Sequence, residues 1–295
     1  MTVTDLHTSK SSPDLQRAAD EELDLFGLTD RGKVRPDNED QFLICTVHPQ
    51  VVVHGTSLRD IDTLPLRGTR LATCLVVADG VGGRDSGGEA ARLAAESITR
   101  YVASTLRSYH VAGSSGDDEL FEALRKSALQ AHDAVRAEAA SRADPRPMAT
   151  TLTVALAVWP WLYALQVGDS RCYYLDGSTL RQMTRDQTLA QQLVDQGVLP
   201  KERIKASPFR NVLASAVGGE EALPEVTRAA MRRPGTTLLC SDGLTKHVTD
   251  EEIAEHLRTM TSSEQVCRAL VDLALERGGT DNVTVVVGRA PLAAR

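Results

Sequence analysis

Apolar and polar residues alternate cleanly from Thr151 to Val158. Leu152, Val154, Leu156 and Val158 share one face; Thr151, Thr153, Ala155 and Ala157 share the other. A period of two marks a strand with two distinct faces. The Trp159-Pro160-Trp161 break then turns the chain, and Leu162–Val167 is the expected hairpin partner. Further strands are expected at Leu23–Leu28, Gln41–Val47, Leu71–Ala78, Cys172–Leu175, Thr237–Cys240 and Val283–Val287. Elsewhere the period becomes helical. From Glu89, the positions Leu93, Ala94, Ser97, Ile98, Tyr101, Val102 and Thr105 form one apolar stripe, and from Asp118, Phe121, Leu124, Ala128, Ala131 and Val135 form another. A third helix is expected over Ser263–Arg277. Two long helices between strands, then more strands, then one helix and a final strand, is not the regular alternation of a parallel sheet. It predicts an α+β fold in which antiparallel sheets pack on each other with helices outside.

The connecting stretches divide the chain no further. Residues 1–20 are polar and aperiodic and read as a mobile tail, and 291–295 as a short second tail. The intervening 21–290 contain no Pro/Gly/Ser linker and no internal repeat, so a single domain is expected. Residues 48–70 read as a loop or hairpin insertion, and 187–215 as a small helical excursion from the core.

Composition narrows the function. The chain has 295 residues and is 42% apolar and 25% charged, which is globular. Its net charge of −7 argues against a nucleic-acid binder, which needs a basic face. Five scattered cysteines with no C-x-x-C pair fit a reducing compartment. The opening residues lack the apolar stretch of a secretory signal, and no run approaches the roughly 18 apolar residues of a membrane span. A cytoplasmic location is expected.

The chemistry signal is a set of aspartates placed where strands stop or start: Asp40, Asp79, Asp169, Asp242 and Asp281. Singly, Asp79-Gly80 and Asp242-Gly243 are ordinary turn dipeptides, and Asp281 suits a cap before Val283. Together they share one context. Carboxylates held at the rim of a rigid sheet repel one another unless a hard divalent cation neutralises them, so Mg²⁺ or Mn²⁺ is the chemical expectation. Competing motifs fail. Gly27–Val34 nearly matches a P-loop, but Val34 stands where Ser or Thr must bind Mg²⁺, and Pro36 blocks the helix that must follow. Gly168-Asp169-Ser170 is followed by Arg171 instead of the Gly of a hydrolase serine elbow. No Cys has an Arg six positions on, and H-E-x-x-H is absent.

In order, GKVRPDNEDQ, VVADGVGG with GGEAA after it, MATTL, QVGDSR, RNVLASAVGG, LLCSDGL and TDNVTVVV resemble the metal-dependent protein phosphatases of type 2C in their bacterial form, over Leu25 to Val287. The resemblance implies a four-layer α/β/β/α sandwich: two antiparallel sheets face to face with helix pairs outside. It implies two Mn²⁺ or Mg²⁺ ions, with Asp79 bridging them, the Gly80 carbonyl as a further ligand, and Asp242 and Asp281 as the other direct ligands. Asp40 resembles the acid that holds a metal-bound water, with Glu39 supporting it. Asp169 matches the ligand of a third, weaker ion shared with Asp242. Arg35 matches the arginine that grips the substrate phosphate, and Asn282 the neighbour that orients the last ligand. Residues 187–215 resemble a flap beside the active site.

The implied reaction is hydrolysis of phosphoserine and phosphothreonine in proteins by a hydroxide bridging the two ions, with no covalent enzyme intermediate. Its implied partners are phosphoprotein substrates and an opposing Ser/Thr kinase, with no nucleic acid, and a monomer is expected. An alternative of another class is a non-catalytic phosphatase-like binding or sensor module. Every direct ligand position being Asp, with Arg35 present, speaks against it. The sequence also departs from the family pattern. Val81 stands where eukaryotic members have His, Ala149 where Gly is usual, and Gln187 and Ser207 where many bacterial members have His. Lys246 and His247, after the Asp242 turn, read as a solvated approach to a helix.

Overall fold

The computed structural model describes residues 17–54, 56–57, 66–82, 86–112, 117–142 and 147–291. In chain order its elements are β1 (Asp24–Asp30), β2 (Gln41–Val47), β3 (Ala72–Ala78), β4 (Gly80–Val81), α1 (Ser86–Ala112), α2 (Asp117–Ser141), β5 (Ala149–Thr150), β6 (Leu152–Val158) and β7 (Trp161–Val167). They continue with β8 (Arg171–Asp176), β9 (Thr179–Gln182), α3 (Leu189–Asp195), β10 (Glu225–Ala230), β11 (Gly235–Cys240), α4 (Asp242–Thr245), α5 (Asp250–Thr259), α6 (Ser263–Glu276) and β12 (Val283–Ala290). Two five-stranded sheets form, in the orders β1-β12-β11-β8-β9 and β10-β7-β6-β3-β2, with every named pairing antiparallel.

The three apolar layers follow from the alternation. Between the sheets lie Leu75, Val77, Leu162, Ala164, Leu239 and Val286. The opposite face of β3, β6 and β7 presents Val76, Leu156 and Tyr163 to Ile98 of α1 and Leu124 and Val135 of α2. The opposite face of β11 and β12 presents Leu238, Val285 and Val287 to Ile253 of α5 and Leu270 of α6. The architecture is the expected four-layer α/β/β/α sandwich.

Six elements are additional to the expected ones: the two-residue strands β4 and β5, the four-residue α4, and β9, β10 and α5. β9 (TLRQ) and β10 (EVTRAA) are sheet-edge strands, largely exposed, so their sequences carry little apolar alternation. α5 opens with a capping box in which Thr249 and Glu252 satisfy each other's backbone N–H groups, a T-x-x-E signal present in the sequence. At the N-terminus the packed chain begins before residue 21: Ala18 is buried, its carbonyl accepts from Arg70, and Asp20 pairs with the same guanidinium. The expected tail is shortened accordingly, and residues 1–16 lie outside the described ones. At the other end, Pro291 accepts from Arg233, and 292–295 lie outside. The insertion closes as a hairpin at its base, where Gln50 bridges Arg67; residues 55 and 58–65 within it lie outside. The excursion carries α3 and a 3-10 turn over Lys201–Ala206, as its helical pattern suggested. Among the described residues no helix is long and apolar enough to cross a membrane.

Candidate active site

All five aspartates stand at one edge of the sandwich. Asp79 follows β3, Asp40 precedes β2, Asp169 lies in the turn from β7 to β8, Asp242 follows β11 and Asp281 precedes β12. Antiparallel pairing brings these ends together, with Gln41 opposite Ala78 and Cys240 opposite both Arg171 and Val285. Both sheets therefore supply acids to one place.

Side-chain bonds lock that edge. Oδ2 of Asp40, which is 2% exposed, accepts from Ser241 Oγ at 2.8 Å and Thr284 Oγ1 at 2.6 Å, tying the start of β2 to the other sheet. Thr151 Oγ1 accepts from the Asp79 backbone N–H at 3.0 Å and lies 2.8 Å from Ser170 Oγ, which joins the Asp79 turn to the Asp169 turn. Asn282 spans the site: its Nδ2 donates to the carbonyls of Arg31 and Asp37, its Oδ1 accepts from the Glu39 N–H, and its own N–H donates to Asp281 Oδ1. Its N–H thus bonds the Asp281 carboxylate, and its side chain holds the loop that carries Arg35. Gly243 allows the start of α4 to press on this segment, since a Cβ there would lie 1.9 Å from the Asn282 carbonyl oxygen.

The electrostatics are those of crowded acids. Burial pushes the Asp40 carboxyl up to about 7, against the bonds from Thr284 and Ser241, and Asp242 and Asp281 push the same way. Burial, then the charges of Asp40, Asp242, Asp169 and Asp281, hold Asp79 well above the ordinary carboxylate range. Asp169 is raised by burial and by Asp242, and Asp242 by burial in spite of Lys246. Asp281 is the exception. Burial would raise it, but bonds from Arg35 and Lys246 outweigh that and leave it below its ordinary value. Arg35 grips it with Nε to Oδ1 at 2.7 Å and an Nη to Oδ2 at 2.9 Å, with its own side chain about half exposed (53%). Lys246 Nζ lies 2.6 Å from Asp242 Oδ2 and 2.7 Å from Asp281 Oδ2. Lys246 thus faces the acids and not the solvent, contrary to expectation. The signal was legible as Asp-to-Lys spacing of four on a helix turn. His247 is structural: its ring bonds Thr280 on the approach to Asp281.

Among the described residues, three buried carboxylate oxygens have no hydrogen-bond partner: Glu39 Oε1, Asp40 Oδ1 and Asp242 Oδ1. A buried orphan acceptor is costly unless something positive meets it. The donor set is all oxygen, which suits a hard divalent cation. Among the described residues no three acid, His or Cys side chains already stand in coordinating positions, and Lys246 and Arg35 pair with Asp242 and Asp281. Glu39 makes no side-chain bond to Asp40, its expected dependant; its Oε1 lies against Gly87 of α1. The excursion is stapled beside Asp169 by Gln187, whose Oε1 accepts from Gly168 N–H at 2.8 Å while Nε2 donates to the Leu223 carbonyl. Ser207 is buried, and its Oγ accepts from the Phe209 N–H within the excursion, a local structural role. The apolar cavity between the sheets, about 90 Å³, lies at the opposite edge around Leu25, Thr73 and Gly288, and takes no part in this site.

The protein phosphatase 2C family model matches residues 58–276. The chain belongs to the protein phosphatase 2C family. It is 33% identical over 259 residues to the serine/threonine protein phosphatase PstP of Mycobacterium tuberculosis, covering 88% of this chain but 43% of that one. It is 30% identical over 260 residues to the serine/threonine phosphatase stp of Listeria welshimeri, covering 88% and 92%. Among solved structures, M. tuberculosis PstP superposes with a TM-score of 0.71 at 31% identity over 91% of this chain and 99% of that one. The catalytic domain of a serine/threonine protein phosphatase PstP in complex with two manganese ions gives 0.67 at 30% identity, over 91% and 98%. The 2C family fold is thus this chain's fold. The chain spans less than half the length of PstP.

Proposed function

We propose that this chain is a divalent-metal-dependent phosphatase acting on phosphoserine and phosphothreonine in proteins. The carrying observation is the convergence of five aspartates from both sheets with three orphaned buried acid oxygens among them or beside them. The names and the two manganese ions of the PstP relative support the same reading. Asp79 with the Gly80 carbonyl, Asp242 and Asp281 would hold two Mn²⁺ or Mg²⁺ ions, and Asp169 with Asp242 a weaker third. Such ions supply charge neutralisation, polarise phosphoryl oxygens and lower the pKa of water.

The chain's own groups do the rest. A phosphate dianion is repelled by a cluster of acids, so among the chain's own groups its recognition falls to the cation at the rim. Arg35 is half-exposed, planar and five-donor, and its fork fits two phosphate oxygens as it fits Asp281. Asp40 has one oxygen fixed by Ser241 and Thr284 and the other unbonded. That unbonded oxygen is free to hold and orient the attacking water by a hydrogen bond. Val81, 45% exposed at the mouth, offers no proton to the leaving alcohol.

One phosphatase domain over 21–290 with Ala18 and Asp20 packed onto it, a cytoplasmic location, a monomer and an opposing Ser/Thr kinase complete the proposal. The test is phosphate release from a phosphothreonine peptide with and without Mn²⁺, wild type beside Asp242→Asn. Metal-dependent release that the variant loses supports it; no release by folded wild type overturns it.

A further inference from the structure

Cys45 and Cys74 are directly opposed across the β2–β3 ladder. Both side chains face the helix layer: Cys74 is wholly buried in that core, and Cys45 packs on it while remaining partly exposed. Opposed residues of an antiparallel pair have Cα atoms about 4.5 or 5.5 Å apart. A disulfide needs roughly 4.4–6.8 Å between Cα atoms, with the Cβ vectors on the same side. Both conditions hold here. The proximity of Cys74 lowers the Cys45 pKa, while Cys45 and burial raise that of Cys74.

We propose that Cys45 and Cys74 are an oxidation site, closed by hydrogen peroxide to a reversible cross-strand disulfide. The Cys45 thiolate attacks one peroxide oxygen and releases hydroxide, giving a sulfenic acid. The Cys74 sulfur then attacks the Cys45 sulfur, its proton leaves with the departing oxygen as water, and the S–S bond forms. In sum two thiols lose two electrons and two protons, and one peroxide becomes two waters. The roles follow from placement: the partly exposed, more acidic Cys45 meets the oxidant, and the buried Cys74 resolves.

The other three cysteines cannot do this. Cys172 and Cys240 lie on neighbouring strands, but Cys172 faces the inter-sheet layer and Cys240 the α5–α6 layer. Burial pushes both thiols up, that of Cys240 to about 12. Cys267, on α6, is buried and likewise pushed up to about 12, with Phe26 O as its partner. The proposed bond would tie the two strands that lead from Asp40 and into Asp79, each five residues from its cysteine. It does not depend on the proposed reaction.

The full chain is treated with hydrogen peroxide, alkylated under native and then denaturing conditions, digested and mapped by mass spectrometry. A linked Cys45–Cys74 peptide that dithiothreitol separates is expected, with Cys172, Cys240 and Cys267 alkylated only after unfolding. In Cys74→Ala, Cys45 should accumulate as a sulfenic acid trapped by dimedone, which keeps the idea testable if that variant is less stable. Free Cys45 thiol in oxidised wild type would overturn the proposal, as would overoxidation of Cys45 beside an untouched Cys74.

Discussion

The ammonium of Lys246 lies 2.6 Å from Oδ2 of Asp242, one helical turn earlier, and reaches Asp281 as well. Burial alone would lower the pKa of this amine, yet the two carboxylates hold it above its ordinary value. It is a cation of the chain's own, seated between two acids proposed to bind divalent ions. Lys246→Met is expected to bind Mn²⁺ about tenfold more tightly by calorimetry, because one competitor for the same oxygens is gone. In chelator the same variant should lose about 1–3 kcal/mol, since two partly buried acids lose their partner. Unchanged or weaker Mn²⁺ binding would sink this reading.

Asp40 sets a pH dependence of stability. Its carboxyl is about 7 when folded and 3.8 ordinarily, so between those values the folded chain binds the extra proton. Stability in chelator should therefore fall as pH rises from about 4 to 7, by on the order of 3 kcal/mol, and level off above. Asp79, Asp169 and Asp242 are raised too and act in the same direction; Asp281 is lowered and acts oppositely. Urea midpoints across that range check the sign. Asp40→Asn should be more stable than wild type in chelator at pH 8 and far less active with Mn²⁺. A midpoint that rises between pH 4 and 7 refutes the assignment.

Asn282 is a three-bond staple between β12 and the loop of Arg31, Asp37 and Glu39. Asn282→Ala should cost about 2–3 kcal/mol, from three bonds at roughly 1 kcal/mol each. Because Arg35 rides on that loop, KM for a phosphopeptide should rise more than kcat falls. Asn282→Asp keeps the acceptor for Glu39 but loses both donors, and should fall between. Equal kcat and KM for Asn282→Ala and wild type would show that the loop needs no staple.

Gln187 ties the excursion to the Gly168–Asp169 turn through both side-chain and backbone bonds. Gln187→Ala should leave the melting temperature within a few degrees, since the sandwich core is untouched. Limited proteolysis should then cut within 187–215 several-fold faster, because the segment loses two of its side-chain anchors. An unaltered cleavage rate would mean that the backbone bonds alone hold it.

The interior strands were legible because both sandwich faces are apolar: the run from Leu71 to Ala78 and the alternation of β6 could not be read otherwise. β9 and β10 were not, since an edge strand shows water one side and one end of its ladder, and its residues (TLRQ, EVTRAA) read as loop. The acids were visible as strand-end aspartates. What tied them together was less so. Ser241 and Thr284 bond Asp40 across more than 200 residues, and no local pattern in the chain announces a hydroxyl paired at that separation. Lys246 was seen but placed toward solvent, because spacing of four reports the same helical face without saying which way that face looks.

The acids come from both sheets, Asp40 and Asp79 from one, Asp242 and Asp281 from the other, with Asp169 at the crossing between them. The site is therefore a gauge of alignment: a small slide of one sheet over the other would pull its halves apart while leaving each sheet intact. Substitutions at Leu75, Leu239 or Val286, buried in the seam and well away from the acids, should for that reason register in the chemistry at least as strongly as in the fold.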